Sequence, residues 1–392
     1  MIANRQLFLN HIAQTSTAPL MLEFERAEGL YLYSSDGKKY TDLIAGIAVS
    51  NVGHSHPQVV KAVKEQAEKY MHLMVYGEFV ESPQVKYATA LTQHLPAQLN
   101  NVYFTNSGAE ATEGAMKLAK RFTGRQEIVS FKNAYHGSTQ GALSVMGDEA
   151  LKQKYRPLLP GITQINFDDE NDLAAITTHT AAVIVETAQA EVGVKVPAKG
   201  FMQKLRARCN ETGALLILDE IQVGMGRSGK LFAFEHYGIV PDILLLAKAL
   251  GGGMPLGAFI AAKEIMGTLA ENPALGHITT FGGHPVCCAA GLAAFEVLHN
   301  ENLFSQVEEK GRLFDTLLMH PKIKAKRRFG LLMALEFESF EENKLIIDRC
   351  IEKGVLTDWF LFAPHCMRIA PPLIISPDEI QQACEVILSC LD

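Results

Sequence analysis

Two short aliphatic runs in the middle of the chain each lead into a charged residue. The first, Leu215 to Leu218, is followed by Asp219, and the second, Ile243 to Leu246, leads through Ala247 to Lys248. Such runs are typical of strands buried on both faces of a parallel sheet, and ligands bind beyond the carboxyl ends of these strands. A carboxylate and an amine there suit a cofactor with a ring nitrogen to keep protonated and a carbonyl to condense with, as in pyridoxal phosphate (PLP).

Each of the two residues also fits a structural role when it is taken alone. Asp219 could form a turn after its strand, and Lys248 could extend its side chain to water. Function is favoured because glycine and serine signals accompany the pair elsewhere in the chain.

The length and the composition of the chain restrict the classes of protein to which it can belong. At 392 residues, with 48% hydrophobic and 20% charged residues, the chain is an ordinary globular protein long enough for two domains. A formal net charge of −7 without a long basic cluster argues against nucleic acid as the main partner. We interpret the densest basic run, Lys322 to Arg328, as solvated surface.

The cysteines and the hydropathy pattern indicate where in the cell the protein is located. Seven cysteines form an odd set without CxxC spacing, which favours reduced thiols and a cytoplasmic location over a disulfide framework. The segment Met1 to Asn10 lacks the apolar core of a signal peptide, and no apolar run reaches transmembrane length. We therefore expect no membrane association.

A strand, a Ser-Gly turn and the start of a helix follow one another after residue 100. Asn101 to Thr105 is predicted as a strand, and Ser107-Gly108-Ala109 opens a helix that continues through Lys120. Free backbone N–H groups and the helix dipole at such a start bind anions. Ser107 would also serve as the helix cap, and the two roles are compatible.

Polar residues follow two other predicted strands. Tyr135 and His136 come after the strand Gln126 to Phe131, where an aromatic ring can stack on a flat cofactor or simply be buried. Glu186 follows the strand 181–185, and Glu191 comes five residues later, but nothing local fixes these acids as a catalytic pair.

Two motifs are assigned structural roles. His54-x-His56 has no third ligand nearby and precedes Pro57, which favours a turn and a helix cap over a metal site. Gly224 to Gly229 is formally GxGxxG, but it begins several residues after its strand and precedes no clear helix. We interpret it as a flexible connection rather than a dinucleotide site.

The composition changes near residue 290, where helices and short strands predict a smaller α+β domain. Its Arg368 stands between apolar residues before Pro371-Pro372, which fits either a carboxylate clamp or a surface arginine on an edge strand. At the other end of the chain, residues 31–43 alternate around the turn Ser35 to Lys38 as in a β-hairpin.

Taken in order, these motifs resemble the class III (subgroup II) PLP-dependent aminotransferases of fold type I over nearly the whole chain. The most specific match combines Asp219-Glu220-Ile221-Gln222 with Lys248-Ala249-Leu250-Gly251-Gly252-Gly253. The other matches are Ala45 to Val49, Gly53 to Pro57, Asn106 to Ala111, Tyr135-His136-Gly137, Gly224 to Gly229, Thr280 to Gly283 and Arg368 with Pro371-Pro372.

The resemblance implies an α/β fold, with a mostly parallel central sheet flanked by helices and a smaller α+β C-terminal domain. We accordingly expect an N-terminal arm at residues 1–50 that joins the small domain. The large PLP-binding domain would cover residues 51–288, and the small C-terminal domain residues 289–392.

The resemblance also assigns the catalytic and cofactor-binding residues. Lys248 would be the Schiff-base lysine that moves the proton, Asp219 would partner the pyridine nitrogen, and Tyr135 would stack on the ring. The cofactor-binding candidates are Ser107, Gly108, Ala109, Tyr135, His136, Glu186, Asp219, Gln222, Lys248 and Thr280. Among these, Gln222 would contact the phenolic oxygen. Thr280 would be donated to the phosphate site by the second subunit of a homodimer.

Three residues are implied to bind substrate, namely Arg368, Glu191 and Ile47. Arg368 would bind a substrate carboxylate, and Glu191 would be the gate that pairs with it. Ile47 stands where ornithine δ-aminotransferases carry a tyrosine, which disfavours that branch. No metal is expected.

The chain departs from the family pattern in ways that concern specificity. Ser138 stands where the acetylornithine and 4-aminobutyrate branches carry an arginine that binds a substrate carboxylate, and a hydroxyl cannot replace a guanidinium. His284 replaces a frequent asparagine, and Glu186 to Glu191 lacks a proline and a glycine of the pattern. These changes leave the PLP chemistry intact.

We therefore expect an aminotransferase that moves the terminal amino group of an N-acetylornithine-like ω-amino donor to 2-oxoglutarate. 4-Aminobutyrate or another ω-amine is the alternative donor, and a PLP isomerase, decarboxylase or racemase is a more distant alternative. A non-catalytic protein of the same fold would have no need for a buried Lys248. A nucleotide-binding role for Gly224 to Gly229 is least favoured.

Overall fold

The computed structural model describes residues 4–392. The helices are α1 (Asn4–His11), α2 (Ala45–Ala48), α3 (Pro57–Lys69), α4 (Ser82–Gln93), α5 (Gly108–Thr123), α6 (Gln140–Val145), α7 (Glu149–Lys152), α8 (Phe201–Thr212), α9 (Lys263–Met266), α10 (Pro285–Asn300), α11 (Val307–Leu317), α12 (Phe340–Glu352) and α13 (Pro377–Leu388). Short 3-10 helices cover Gln153–Tyr155, Asn171–Ala175, Ala233–Tyr237, Lys248–Gly251, Gly267–Ala270 and Leu303–Gln306.

The strands form three sheets. They are β1 (Phe24–Glu28), β2 (Tyr31–Ser34), β3 (Lys39–Asp42), β4 (Asn101–Thr105), β5 (Glu127–Phe131), β6 (Ile162–Ile165), β7 (Thr180–Glu186), β8 (Leu215–Asp219), β9 (Ile243–Leu246), β10 (Gly257–Ala261), β11 (Ala325–Phe329), β12 (Leu332–Glu336), β13 (Val355–Leu356), β14 (Asp358–Phe360) and β15 (Ala363–Ile369).

The largest sheet has seven strands in the order β4-β10-β9-β8-β7-β5-β6. Only β10 runs antiparallel to its neighbours, so β5 to β9 present their carboxyl ends along one edge. Every residue of β7, β8 and β9 is buried, which explains why these strands are continuous aliphatic runs. This α/β architecture with a mostly parallel sheet is the expected one.

The N-terminal arm is joined to the C-terminal part of the chain by backbone pairing. In the four-stranded sheet β1-β2-β3-β13, Val355 pairs in parallel with Thr41. A second small sheet has the order β11-β12-β15-β14. The division into an arm, a large domain and a small domain remains a proposal, with helix α10 running across the expected boundary at residues 288–289 and packing on α3 and α4.

Helix α2 is a single left-handed turn. Ala45, Gly46, Ile47 and Ala48 have φ values of 51°, 63°, 64° and 60°. The left-handed region costs roughly 1–2 kcal/mol for each L-residue other than glycine. Asp42 supports the turn, because its Oδ1 accepts hydrogen bonds from the N–H groups of Ile44 (2.8 Å) and Ala45 (3.0 Å).

The segment Gly224 to Gly229 is not a flexible connection, and that interpretation was wrong. Residues 224–228 are buried and Gly229 is half-buried, and the Arg227 side chain bridges three parts of the chain. Arg227 Nη1 donates to the carbonyls of Leu331 (3.0 Å) and Pro371, and Nη2 donates to Asn51 Oδ1. Burial lowers the pKa of this guanidinium to about 9.

The basic run Lys322 to Arg328 lies at the surface, where its residues are partly or fully exposed, and some of its side chains form ion pairs. Its second half lies in β11, whose residues are only partly exposed. Arg328 donates to Glu308 (2.8 Å) and Asp315 (2.5 Å). Among residues 4–392, every helix is too short or too polar to span a bilayer.

Candidate active site

A cavity of about 590 Å³ opens at the carboxyl edge of the large sheet. Strand ends, the start of α5 and the loop after Lys248 surround it. Its lining comprises Val49, Asn106, Ser107, Gly108, Ala109, Tyr135, His136, Gly137, Ser138, Glu186, Ala188, Asp219, Ile221, Gln222, Val223, Ala247, Lys248, Gly253, Met254, Pro255 and Leu256. Most of the residues predicted to bind a cofactor are therefore brought together here.

Asp219 ends β8 and is 5% exposed. Its Oδ2 lies 2.7 Å from His136 Nδ1, and its Oδ1 accepts a hydrogen bond of 2.9 Å from the N–H of Ile221. Because a carboxylate only accepts hydrogen bonds, His136 carries its proton on Nδ1. The pair can therefore hold a fixed negative charge toward a cationic ring nitrogen.

Lys248 follows β9 after a single residue and has a φ of 49°, in the left-handed region. Its Nζ lies 3.4 Å from Gln222 Oε1. Burial lowers the pKa of Lys248, although the carboxylates of Glu191 and Asp219 act in the opposite direction. An amine whose pKa is lowered in this way is available as a nucleophile and a base.

The start of α5 forms an anion site at one end of the cavity. Ser107 caps the helix, and its Oγ accepts a hydrogen bond of 3.2 Å from the N–H of Glu110. The N–H groups of the first turn have no partners within the helix, so they can meet phosphate oxygens. A Cβ atom at Gly108 would lie only 2.8 Å from Ile221 Cδ1, so a larger residue at this position would require the Ile221 side chain to shift.

Glu186 holds the loop after β5 in place. It ends β7 beside Asp219 in the sheet register. Its carboxylate accepts hydrogen bonds from the N–H groups of Tyr135 (3.0 Å) and Ala190 (3.1 Å). Burial raises the pKa of Glu186 to about 7, although His136 acts to lower it. In this geometry Glu186 positions Tyr135 at the cavity wall.

The chain's polar groups fit the PLP that the sequence implied. His136 Nε2 and Gln222 Nε2 are buried and have no hydrogen-bond partner among the residues described, and both side chains line the cavity. Buried polar atoms of this kind call for a ligand. The anion site at Ser107, the acid Asp219 and the amine Lys248 match the phosphate, ring nitrogen and carbonyl of that cofactor.

Arg368 and Glu191 form a buried ion pair near the cavity. Glu191 Oε1 and Oε2 accept hydrogen bonds from Arg368 Nη1 (3.3 Å) and Nη2 (3.0 Å). Burial would raise the pKa of Glu191, but Arg368, the N–H of Leu361 and Lys248 together lower it. Arg368 is therefore not a surface arginine on an edge strand, since its side chain is 3% exposed.

Four predicted site residues do not line the cavity, and two of them, Arg368 and Glu191, form the buried pair described above. Thr280 is exposed and does not line the cavity, and Ile47 in the left-handed turn is 38% exposed and does not line it either. Val49, two residues further on, does line it, as do Met254 and Pro255. Sequence reasoning missed these three because no local pattern shows which apolar residues reach a cavity.

The His-x-His pair plays the structural roles expected for it. His54 Nε2 lies 2.7 Å from Asp42 Oδ2, and His56 accepts a hydrogen bond from the N–H of Gln58 at the start of α3.

One cluster of possible metal ligands occurs in the described part of the chain. It consists of Glu336, His365 and Cys366. The Arg327 guanidinium already donates to Glu336 and to Cys366 Sγ (3.2 Å).

Comparisons with known proteins show the family to which the chain belongs. The family model for aminotransferase class-III matches residues 12–391. The chain is 41% identical to an acetylornithine aminotransferase of Methanopyrus kandleri, over 91% of this chain and 90% of the relative. It is 38% identical to ornithine aminotransferase 1 of Staphylococcus aureus, over 95% of both chains.

A solved structure matches nearly the whole fold. It is the ornithine aminotransferase of Toxoplasma gondii, described with partial occupancy of PLP at its active site. The TM-score is 0.92 and the identity is 30%, and the match covers 98% of this chain and 92% of the other.

Proposed function

The chain belongs to the class-III aminotransferases, a transaminase family that uses PLP, and from this we propose which substrates it takes. We propose that it transfers the terminal amino group of an N-acetylornithine-like ω-amino donor to 2-oxoglutarate, which yields an aldehyde and glutamate. The observation that carries the proposal is the buried Arg368–Glu191 pair, which does not line the cavity but lies close enough to Lys248 for both charges to act on the pKa of its amine. A concealed carboxylate-binding site suits an enzyme that must take one carboxylate-bearing and one differently shaped substrate in turn.

The residues of the cavity would have separate roles in amino transfer. Bound PLP supplies a carbonyl that accepts the amino group and a ring that accepts electrons. The Asp219 carboxylate, fixed by His136, would hold a proton on the ring nitrogen. Lys248 Nζ would accept and return the proton at the substrate carbon, since burial favours its uncharged form.

The acceptor would bind through Arg368. A planar guanidinium binds a carboxylate with two parallel hydrogen bonds, which is how Glu191 binds it in this structure. The carboxylate of 2-oxoglutarate would take the same two donors once Glu191 moves away. A donor without a carboxylate at this end would leave the Arg368–Glu191 pair closed.

The similar curated proteins support an N-acetylornithine-like donor, whereas Ser138 in place of the expected arginine argues for other donors. Acetylornithine aminotransferases are among the most similar curated proteins, with 36–41% identity for several of them. Ser138 lines the cavity, and its Oγ lies 3.3 Å from the Tyr135 hydroxyl. Lys248 is the one lysine or arginine among the described residues that line the cavity, and a cavity without a second such residue also suits an amine with an uncharged tail. 4-Aminobutyrate is the other alternative donor.

A homodimer would complete the site. Thr280 is exposed on this chain, and the family resemblance assigns its equivalent to the phosphate of the neighbouring subunit. We propose that the protein works as such a dimer in the cytoplasm. If the donor is N-acetylornithine, the reaction belongs to arginine biosynthesis.

A half-reaction experiment tests the proposal. The purified protein is loaded with PLP and mixed separately with N-acetylornithine, 4-aminobutyrate, ornithine and a plain diamine. The rate at which the visible absorption band of the bound cofactor disappears reports amino transfer, and 2-oxoglutarate should restore the band. Fastest loss with N-acetylornithine supports the proposed donor. Loss only with an amine that has an uncharged tail supports the alternative, and no visible band at all would overturn the assignment of Lys248.

A further inference from the structure

The Arg368 guanidinium is enclosed on several sides. Its two terminal nitrogens face Glu191, as described above, and Nη2 also donates to the carbonyl of Trp359 at 3.2 Å. The Phe360 ring lies under it, with the guanidinium carbon 4.6 Å from the ring centroid. The groups that surround the guanidinium therefore belong to two parts of the chain, the loop after β7, which carries Glu191, and the strand β14 (Asp358–Phe360).

A second acid faces the other side of the guanidinium. Asp358 lies directly opposite Arg368 in the β14–β15 ladder, and its Oδ1 is 3.1 Å from Arg368 Nε. The two atoms are not aligned for a hydrogen bond and have no other partner among the described residues, so their contact is an ion pair. One guanidinium thus has two carboxylates on two different edges.

The carboxylates of Glu191 and Asp358 differ in how readily each can move away from the Arg368 guanidinium. Glu191 occupies the Nη1–Nη2 edge, the fork on which a substrate carboxylate would bind. Asp358 belongs to a strand that is paired with the strand carrying Arg368, and so the two residues are fixed relative to each other. When a substrate carboxylate replaces Glu191, the charge around the guanidinium is unchanged, with one cation and two anions before and after.

We propose that Asp358 is a positioning residue, a counter-ion that stays in place and holds the Arg368 fork in its present orientation while Glu191 exchanges with the carboxylate of the acceptor. The inference rests on the proposed function, because it assumes that Arg368 binds the acceptor. Without Asp358, the guanidinium would lose its only anion during the exchange and would have a free Nε. Its position would then depend on the Trp359 carbonyl and the Phe360 ring alone.

The test separates the two half-reactions. Asp358→Asn should lower kcat/KM for 2-oxoglutarate roughly tenfold, mainly through KM, because the buried guanidinium of Arg368 loses a partly exposed charge partner. The half-reaction with an ω-amine donor that has no carboxylate at this end should stay within about twofold of the wild type. Asp358→Glu, which keeps the charge, should recover part of the loss.

Binding gives a readout that does not depend on turnover. Calorimetric titration of the PLP-loaded enzyme with glutarate, a dicarboxylate that cannot react, should show weaker binding in Asp358→Asn by a similar factor. Asp348→Asn is the matched control, since Asp348 pairs with Lys344 on α12 at the surface of the same part of the chain. This variant should bind glutarate like the wild type.

The outcomes distinguish the inference from the function on which it rests. If the wild type performs neither half-reaction, the proposed function is wrong. If the wild type performs both, and the Asp358→Asn and Asp358→Glu variants use 2-oxoglutarate and bind glutarate as well as the wild type does, then Asp358 has no positioning role. If one of the two variants loses its cofactor, the glutarate titration of the other variant tests the inference. Wild-type glutarate affinity in Asp358→Asn would then overturn it, and in Asp358→Glu an affinity below that of the wild type would support it.

Discussion

His136 Nδ1 lies 2.7 Å from Asp219 Oδ2, and both side chains are buried at the edge of the large sheet. A buried carboxylate is costly unless it is hydrogen-bonded, and Asp219 has two donors, His136 and the N–H of Ile221. The pair thus places a fixed anion at the end of β8. Its role can be tested by removing either member.

Replacing Asp219 by asparagine should lower kcat for transamination by at least about a hundredfold, because a neutral amide cannot stabilise a proton on the cofactor ring. His136→Phe should cost less, about tenfold, since it leaves Asp219 in place with one hydrogen bond missing. Steady-state rates measured with saturating PLP check both values. Activity of Asp219→Asn close to that of the wild type would contradict the assignment.

The Lys248→Ala variant should lose transamination by at least about a thousandfold while still binding PLP without a covalent bond. The reason is that no other amine among the described residues lines the cavity. Single-turnover rates and the absorption spectrum of the bound cofactor measure the two effects. Lys263→Ala, an exposed lysine at the start of α9, is the control, and retained transamination in Lys248→Ala would remove that residue from its role.

The Arg368→Lys variant should weaken the use of 2-oxoglutarate at least about tenfold and leave PLP affinity nearly unchanged. An ammonium group cannot form the two parallel hydrogen bonds that the guanidinium makes. The measurement compares kcat/KM for 2-oxoglutarate with the dissociation constant of PLP. Arg26→Lys, at an exposed pair with Glu28, should change neither. Unchanged kinetics in Arg368→Lys would mean that another cation holds the acceptor.

The Ser138→Arg variant should raise kcat/KM for N-acetylornithine relative to an amine with an uncharged tail by about tenfold, because it adds a guanidinium where the cavity wall offers hydroxyls. Competition between the two donors measures the ratio directly. Ser138→Gln provides a polar but neutral control. An equal effect of both substitutions would show that position 138 does not contact a carboxylate.

Glu220 should remain protonated near neutral pH. Burial raises the pKa of Glu220 from its ordinary 4.5 to about 8, although Ala233 and Phe234 N–H groups donate to it. The pKa of Glu220 is higher in the folded protein than in the unfolded chain. Its protonation therefore stabilises the folded state fully below about pH 4.5, and this contribution is lost as the pH rises through about 8.

Infrared difference spectra test this protonation. Raising the pH from about 6 to 9 should remove carboxylic-acid C=O absorption from Glu220 and from Glu186, whose pKa values are raised to about 8 and about 7. Glu220→Gln should therefore show a smaller loss, without the component that titrates near pH 8. Over the same interval, the free energy of unfolding should fall by up to about 1.4 kcal/mol per pH unit in the wild type and less in the variant. A wild-type spectrum without the band would contradict the raised pKa.

The parts of the site that could be predicted from the sequence are those with local signals. The aliphatic runs before Asp219 and Lys248 mark strand ends, and the Ser107-Gly108 turn marks a helix start. A parallel sheet then forces these strand ends onto one edge, which is why local patterns were enough. The roles assigned to these residues remain predictions.

The parts that could not be predicted depend on contacts between distant segments. Arg227 meets Asn51 and Pro371, which are 176 and 144 residues away along the chain, so a run of glycines around it looked like a flexible linker. Asp358 faces Arg368 only because two strands pair. The left-handed turn at Ala45 was not predicted, because only Gly46 among its four residues favours a positive φ.

The pairing of the N-terminal arm with β13 has a consequence for the order of events during synthesis. Lys38 donates to the carbonyl of Ile351, which lies 313 residues later in the chain. At about 5–20 residues per second on the ribosome, the arm waits roughly 15–60 s before its partner strand emerges. Until then the edge of β3 that pairs with β13 is exposed, and an unpaired strand edge of this kind is a site at which nascent chains can aggregate.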